Sequence, residues 1–153
     1  MPLDRFDRAI VQALQLDGRI TNSQLAERVS LSESACLRRV RALEESGLIE
    51  GYTARINQQR AGCPVNVFVN ITLDRQDEVD LRKFEETVRK IPEVMECYLM
   101  TGDYDYIVRV VVADTADFER VHSKHLTRLP AVARIHSSFA LRTVQKSREL
   151  PIR

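Results

Sequence analysis

The chain has 153 residues, of which 44% are hydrophobic and 29% charged, with a formal net charge of +1. That length and balance suit one ordinary domain or two small ones and exclude a disordered chain. The near-neutral total means that any case for nucleic-acid binding must rest on local charge.

Residues 1 to about 48 show helical periodicity and no strand. Asp4 is placed to cap a first helix reaching Leu16, with Asp7 in its first turn near the positive end of the dipole. Leu3, Ile10, Ala13 and Leu14 form its apolar stripe, and Asp17-Gly18 ends it. Thr21-Asn22-Ser23-Gln24 is a capping box that opens a short second helix ending near Val29. Ser32 caps a third helix that runs to about Ser46, before Gly47. Leu37, Val40 and Leu43 are its apolar positions. Ser34, Arg38 and Arg41 fall on the other side at i, i+4 and i+7, with Arg39 beside them. Alternation around Gly51 predicts a small hairpin, or wing, from about Ile49 to Ile56.

Asn57 to Pro64 is polar and broken by glycine and proline, the signature of a linker. Beyond it, Val65 to Leu73 reads as a strand and Gln76 to Ile91 as a helix. Val94 to Met100 and Asp105 to Val112 read as strands, Thr115 to Leu129 as a helix capped by Asp114, and Val132 to Val144 as a last strand. The order β-α-β-β-α-β is the split βαβ of ferredoxin-like folds. A weak internal repeat agrees: both helices end in an apolar-Pro-x-Val step, at Ile91 to Val94 and at Leu129 to Val132. The predicted class is α+β. A winged helix-turn-helix domain covers residues 1–56, a linker 57–64, and a ferredoxin-like effector-binding and oligomerisation domain 65–153.

Of the 23 basic and 22 acidic residues, nine and eight lie in residues 1–60, leaving 14 of each in the remainder. The basic character is local: between Leu31 and Leu43 there are three arginines and one glutamate. A short helix, a tight turn and a basic third helix match helix-turn-helix geometry. Arg38, Arg39 and Arg41 can reach guanine edges or phosphates, and Ser32 and Ser34 can donate to phosphate beside backbone N–H groups. The plainer reading is that three helices pack and the arginines are a solvated face.

The stretch TGDYDY, Thr101 to Tyr106, joins two predicted strands. Gly102-Asp103 alone suffices for a hairpin turn. As a metal site the stretch has only Asp103 and Asp105, whereas a hard cation takes about six oxygens. As a catalytic site it has no partner, since His122, His125 and His136 lie elsewhere without a matching nucleophile. A zwitterion fits better. Aspartates suit its ammonium, turn N–H groups suit its carboxylate, and Tyr104 or Tyr106 adds a wall with a polar tip. No catalytic residue, metal or cofactor is therefore expected. Cys36, Cys63 and Cys97 are dispersed, which argues against a disulfide framework or a zinc site. No apolar run of about 18 residues exists to span a membrane, and the polar start MPLDRFDRAI does not read as a signal peptide. The expected location is the cytoplasm.

The first half resembles the DNA-binding domain of the Lrp/AsnC family of transcription regulators. The residues that carry this are Leu3-Asp4-Arg5, Asp17-Gly18-Arg19-Ile20, Leu25-Ala26, Leu31-Ser32-x-Ser34-x-Cys36-Leu37-x-Arg39-Val40, and Gly47-x-Ile49-x-Gly51-Tyr52. The second half resembles that family's regulatory domain through Glu96-Cys97, Thr101 to Tyr106 and Arg128-Leu129-Pro130. The resemblance implies a helix-turn-helix at about 22–41 acting on double-stranded DNA. It also implies a homodimer built through the second domain, often assembled further into an octamer, and an amino acid or related metabolite bound between regulatory domains. It puts Gly102, Asp103 and Asp105 at the effector site, and Thr127 and Ser138 at positions that affect the response. Glu33 stands where several relatives have proline, and Arg38 where an acidic or polar residue is common. Thr127 and Ser138 are small and polar where a large apolar residue or tyrosine is common, so leucine is not assumed as the ligand. The expected function is an effector-responsive DNA-binding transcription regulator rather than an enzyme. The alternative is a tetrapyrrole decarboxylase of the same architecture.

Overall fold

The computed structural model describes residues 3–153; Met1 and Pro2, where the first predicted domain and the leader reading begin, lie outside the described residues. The chain forms two units. One runs to Arg55 and also takes in Val144–Arg153; the other is Ile56–Thr143.

The first unit contains α1 (Arg5–Leu16), α2 (Asn22–Arg28) and α3 (Glu33–Glu45). Each begins on the side chain that its sequence offers as a cap. Asp4 Oδ1 accepts from the backbone N–H of Phe6 at 2.8 Å and of Asp7 at 2.9 Å, and Asp7 Oδ2 accepts from the N–H of Asp4 at 3.3 Å. Thr21 and Gln24 reciprocate in the same way at 3.2 and 3.1 Å. Such boxes satisfy N–H groups that the first turn leaves without partners. Between α2 and α3 the chain turns tightly through Ser30, whose φ is +58°, and the Leu31 N–H closes on the Ala26 carbonyl at 2.9 Å.

The core of this unit is Ile10, Val11, Ala13, Leu25, Ala26, Val29, Cys36 and Leu43. Leu37, expected in that core, is 38% exposed, and Cys36 is fully buried instead. The inward stripe of α3 is therefore Cys36, Val40 and Leu43, with Cys36 in the place expected for Leu37. Arg39, three residues on from Cys36, lies on its inner flank.

The predicted wing does not form. Residues 49–56 have no strand partner among the described residues. The Ile49 N–H donates to the Leu43 carbonyl at 3.2 Å and the Tyr52 hydroxyl to Glu44 Oε1 at 2.9 Å. The segment's polar groups are thus drawn to the end of α3 rather than to each other. The C-terminal tail departs from the predicted 65–153 boundary. Gln15 grips Leu150 from both sides, its amide nitrogen donating to the Leu150 carbonyl at 3.1 Å and its oxygen accepting from the Leu150 N–H at 2.6 Å. Ile152 packs on the first core. Residues 144–153 therefore belong to the first unit.

The second unit contains β1 (Val65–Leu73), α4 (Glu78–Val88), β2 (Val94–Leu99), β3 (Tyr106–Val112), α5 (Thr115–Lys124), a 3-10 turn (Leu126–Arg128) and β4 (Val132–Phe139). The sheet order is β2-β3-β1-β4 and every neighbouring pair is antiparallel. Alternation on β1 sorts the two faces. Val67, Val69, Ile71 and Leu73 join Phe84 and Val88 of α4 and Phe118 and Val121 of α5 in one core. Phe84 stacks on Tyr106 with ring centroids 4.3 Å apart. The opposite residues Phe68, Asn70 and Thr72 lie on the face that neither helix covers, and Phe68 is 38% exposed.

The larger departures from the expected boundaries are these. β4 stops at Phe139 rather than Val144, because Val67 is its last partner on β1 and one further bond, Ala140 N–H to Asn66 carbonyl, ends the pairing. The helix expected to reach Leu129 breaks at His125, whose φ of −121° is not helical. The stretch expected as a linker is a hydrogen-bonded turn, with Ala61 N–H on the Asn57 carbonyl at 2.9 Å and Cys63 N–H on Gln58 at 3.1 Å.

Candidate nucleic-acid face and small-molecule hollow

The helix-turn-helix presents the N-terminal half of α3. Ser32 Oγ accepts from Ala35 N–H at 3.3 Å and lies 3.3 Å from Ser34 Oγ. Asn22 of α2 donates from Nδ2 to the Glu33 carbonyl at 2.9 Å, which ties the two helices at their starts. Ser34, Arg38 and Arg41 are exposed along one side, as the spacing predicts. Glu33 is exposed beside them.

Arg39 has a different occupation. Its Nη1 donates to Asp4 Oδ2 and to Asp7 Oδ1, both at 2.8 Å, and its guanidinium carbon lies 5.3 Å from the Phe6 ring centroid. Asp7 is 7% exposed, the one polar residue of the described core. The Asp7 N–H, and then Arg39, hold the Asp4 carboxyl below its ordinary range, while Asp7 and then Asp4 raise the Arg39 guanidinium. Arg39, expected as a DNA contact, is bonded here to the start of α1. One residue of helix rotation separates it from Arg38, and only the position of the core decides which of the two turns outward.

In the second unit, the loop from Met100 to Asp105 is closed by the Met100 N–H on the Asp105 carbonyl at 2.8 Å. It is longer than a two-residue hairpin, and Gly102 takes a φ of +120°, a conformation that disfavours any side chain. The Asp105 carboxylate is turned inward. Oδ2 accepts from the Leu73 N–H and Oδ1 from Gln76 Nε2, each at 2.7 Å. It therefore pins the end of β1 to the loop and is not an open partner for a ligand ammonium.

Asp103 and Tyr104 do face open space. They line a hollow of about 290 Å3 together with Asn70 and Thr72 of β1 and Arg134 and His136 of β4. The register explains the grouping: Asn70 pairs with His136 and Thr72 with Arg134, on the face without helices. A carboxylate and a guanidinium in one hollow suit the two charged ends of an amino acid, and the volume is near the lower end for small-molecule sites. Arg134 and His136 were missed in the sequence, although Arg134, His136 and Ser138 alternate there with period two. Ser138 lies opposite Phe68 and Thr127 on the 3-10 turn, where its hydroxyl donates to the Ser123 carbonyl at 3.1 Å. Neither lines this hollow. Among the described residues, no group of three or more His, Cys, Asp or Glu could hold a metal ion. Among the same residues, no helix is long and apolar enough to cross a membrane.

Residues 66–150 match the model of the Lrp/AsnC ligand binding domain, and residues 3–50 match a winged helix-turn-helix DNA-binding model. The chain is similar to the Bkd operon transcriptional regulator of Pseudomonas aeruginosa, 46% identical over 142 residues that cover 93% of each protein. It is 40% identical to the leucine-responsive regulatory protein of Escherichia coli K12 over 151 residues, covering 99% of this chain and 92% of that one. Its structure resembles that of a transcriptional regulator from Neisseria meningitidis in complex with L-Met. The TM-score is 0.93 at 34% identity, with 98% of this chain and 97% of that chain covered.

Proposed function

Because the chain belongs to the Lrp/AsnC family of transcription regulators, we propose a specific division of labour for its DNA-binding and amino-acid-binding halves. A free α-amino acid is received at the loop Gly102-Asp103-Tyr104. Asp103 meets its ammonium, Arg134 its carboxylate, and Tyr104 walls the side chain. The observation that carries this is that Asp103 and Arg134 both line one hollow of the ligand-binding domain. The L-Met held by the Neisseria protein supports the ligand class. Asp105 acts through the loop that it pins, and Thr127 and Ser138 act, if at all, from outside the hollow.

On the DNA side, Ser32, Ser34, Arg38 and Arg41 make the contacts, with Arg39 holding α3 at its angle. A homodimer formed through the open sheet face would present two such helices to successive major grooves, about 34 Å apart. Phe68 and Tyr98, 38% and 56% exposed, support that face as the one covered by a second copy, and dimers would assemble further, up to an octamer. The effector acts by favouring one assembly through its differential affinity. The relatives are regulators, so the decarboxylase alternative gains no support and no catalytic role is proposed. A cytoplasmic location follows from the same reading.

A thermal-shift screen over the twenty amino acids tests the effector. A ligand at 100 times its dissociation constant stabilises by about 2.7 kcal/mol. Asp103→Asn should erase that shift without changing the unliganded midpoint, and a retained shift would remove the site. Separately, Phe68→Arg should sediment as a monomer; an unchanged mass sinks the sheet-face dimer.

A further inference from the structure

The first unit contains a second hollow, used neither by the recognition helix nor by the effector loop. Its volume is about 560 Å3. Arg19 comes to it from the turn after α1, Tyr52 and Arg55 from the extended segment after α3, and Lys146, Arg148 and Glu149 from the C-terminal tail. All six are exposed. Among the described residues, Arg19, Arg55, Lys146 and Arg148 form no ion pair with any carboxylate. Four cations on three separate stretches thus converge on one space with one acid, Glu149, to offset them. Gly51 on the same wall has nothing within 4 Å of where a Cβ would stand, so backbone is open to an approaching group there.

Like charges gathered around a hollow repel unless an anion joins them. A single carboxylate would leave both charge and volume unmatched. Phosphoryl groups match both: guanidinium forks take them with two parallel bonds and a lysine takes them as a point charge. The Tyr52 ring, 50% exposed, gives a sugar or base a flat wall to lie on. We infer that this hollow is a phosphate-binding site, built jointly by the C-terminal tail and the segment that follows the recognition helix.

Two sources carry that chemistry: the phosphodiesters of DNA running past α3, and a soluble polyphosphate or nucleotide. The test uses the full chain with Lys146→Gln and Arg148→Gln together. In the DNA arm, the slope of log affinity against log salt should become shallower by about 1.8 for two lost phosphate contacts, with the same order of preference among sequences. In the soluble arm, calorimetric titration with inorganic triphosphate should show binding to the parent chain that falls at least tenfold in the variant. A change in the first arm alone assigns phosphodiesters, and a change in the second alone assigns a soluble ligand. No change in either overturns the proposal. Arg19→Gln with Arg55→Gln reaches the same hollow without touching the tail, so a loss caused only by a detached tail would appear in one double variant and not the other, and would likewise overturn it. Glu149→Gln should strengthen whichever binding is found.

Discussion

The two units solve one problem twice with different geometry. Each candidate site has charged residues close together in sequence, and in each the fold turns one inward and leaves the other out. On α3 the split is between Arg39, clamped to Asp4 and Asp7, and Arg38 and Arg41, which are exposed. In the loop between β2 and β3 it is between Asp105, bound to Leu73 and Gln76, and the exposed Asp103. The helical split follows from rotation of about 100° per residue, so moving the core stripe by one position exchanges the roles. The loop split follows from a left-handed glycine and a strand end whose N–H needs an acceptor. Proximity in sequence thus does not imply a shared task. The inner member holds the site and the outer member is available to meet the ligand.

The largest expected effect breaks this on the outer side. Arg38→Ala with Arg41→Ala should weaken operator binding by about 2–6 kcal/mol if both read bases. The thermal midpoint of the first unit should stay where it is; a gel-shift titration with calorimetry separates the two. Arg39→Gln should do the reverse to the fold, lowering that midpoint because it leaves the buried Asp7 without its partner. Next comes Asp105→Ala, which strands the Leu73 N–H and costs the second unit about 1–3 kcal/mol in a urea titration. Asp103→Asn beside it should fall within about 0.5 kcal/mol of the parent. Equal costs for the two aspartates would end the inner–outer distinction.

The smallest effect is with acid. Asp4 in the first unit is held below its usual 3.8 by the Asp7 N–H, and Asp117 in the second below the same value by the Ala113 N–H and by Arg120. Burial opposes ionisation of Glu93, but Arg120 outweighs it, and that carboxyl sits below 4.5. A depressed carboxylate stabilises the fold fully above its unfolded value, and the contribution is lost as pH falls through the folded one. The second unit should therefore begin to weaken below about pH 4.5 and the first below about pH 3.8. Arg39→Gln should flatten the response of the first alone. Tyr52 is the one tyrosine among four that belongs to the first unit, so its fluorescence, subtracted using Tyr52→Phe, reports that unit separately.

The element order was legible because period and caps are local. Thr21 and Gln24 form the capping box that their spacing predicts, and the alternation of Val65 to Leu73 predicts the two faces of β1. The corrections fall where distant residues decide. Leu37 loses its core place to Cys36 because α1 and α2 choose the inward face. The wing fails because Leu43 and Glu44 take its hydrogen bonds. Arg134 and His136 reach the hollow beside Asp103 through a strand register set more than sixty residues away in the chain. The alternation of β4 held that signal, but with nothing to say what it faced.

The grip of Gln15 on Leu150 means that the second unit is an insertion within the first, entered after Arg55 and left before Val144. This sets an order of assembly. During synthesis the helix-turn-helix core emerges first, yet its partner Leu150 follows the whole of the second unit. A piece ending at Arg55 would keep the three helices and lose the strap, and with it Lys146 and Arg148. The DNA-binding unit reaches its finished form only after the second unit has been made.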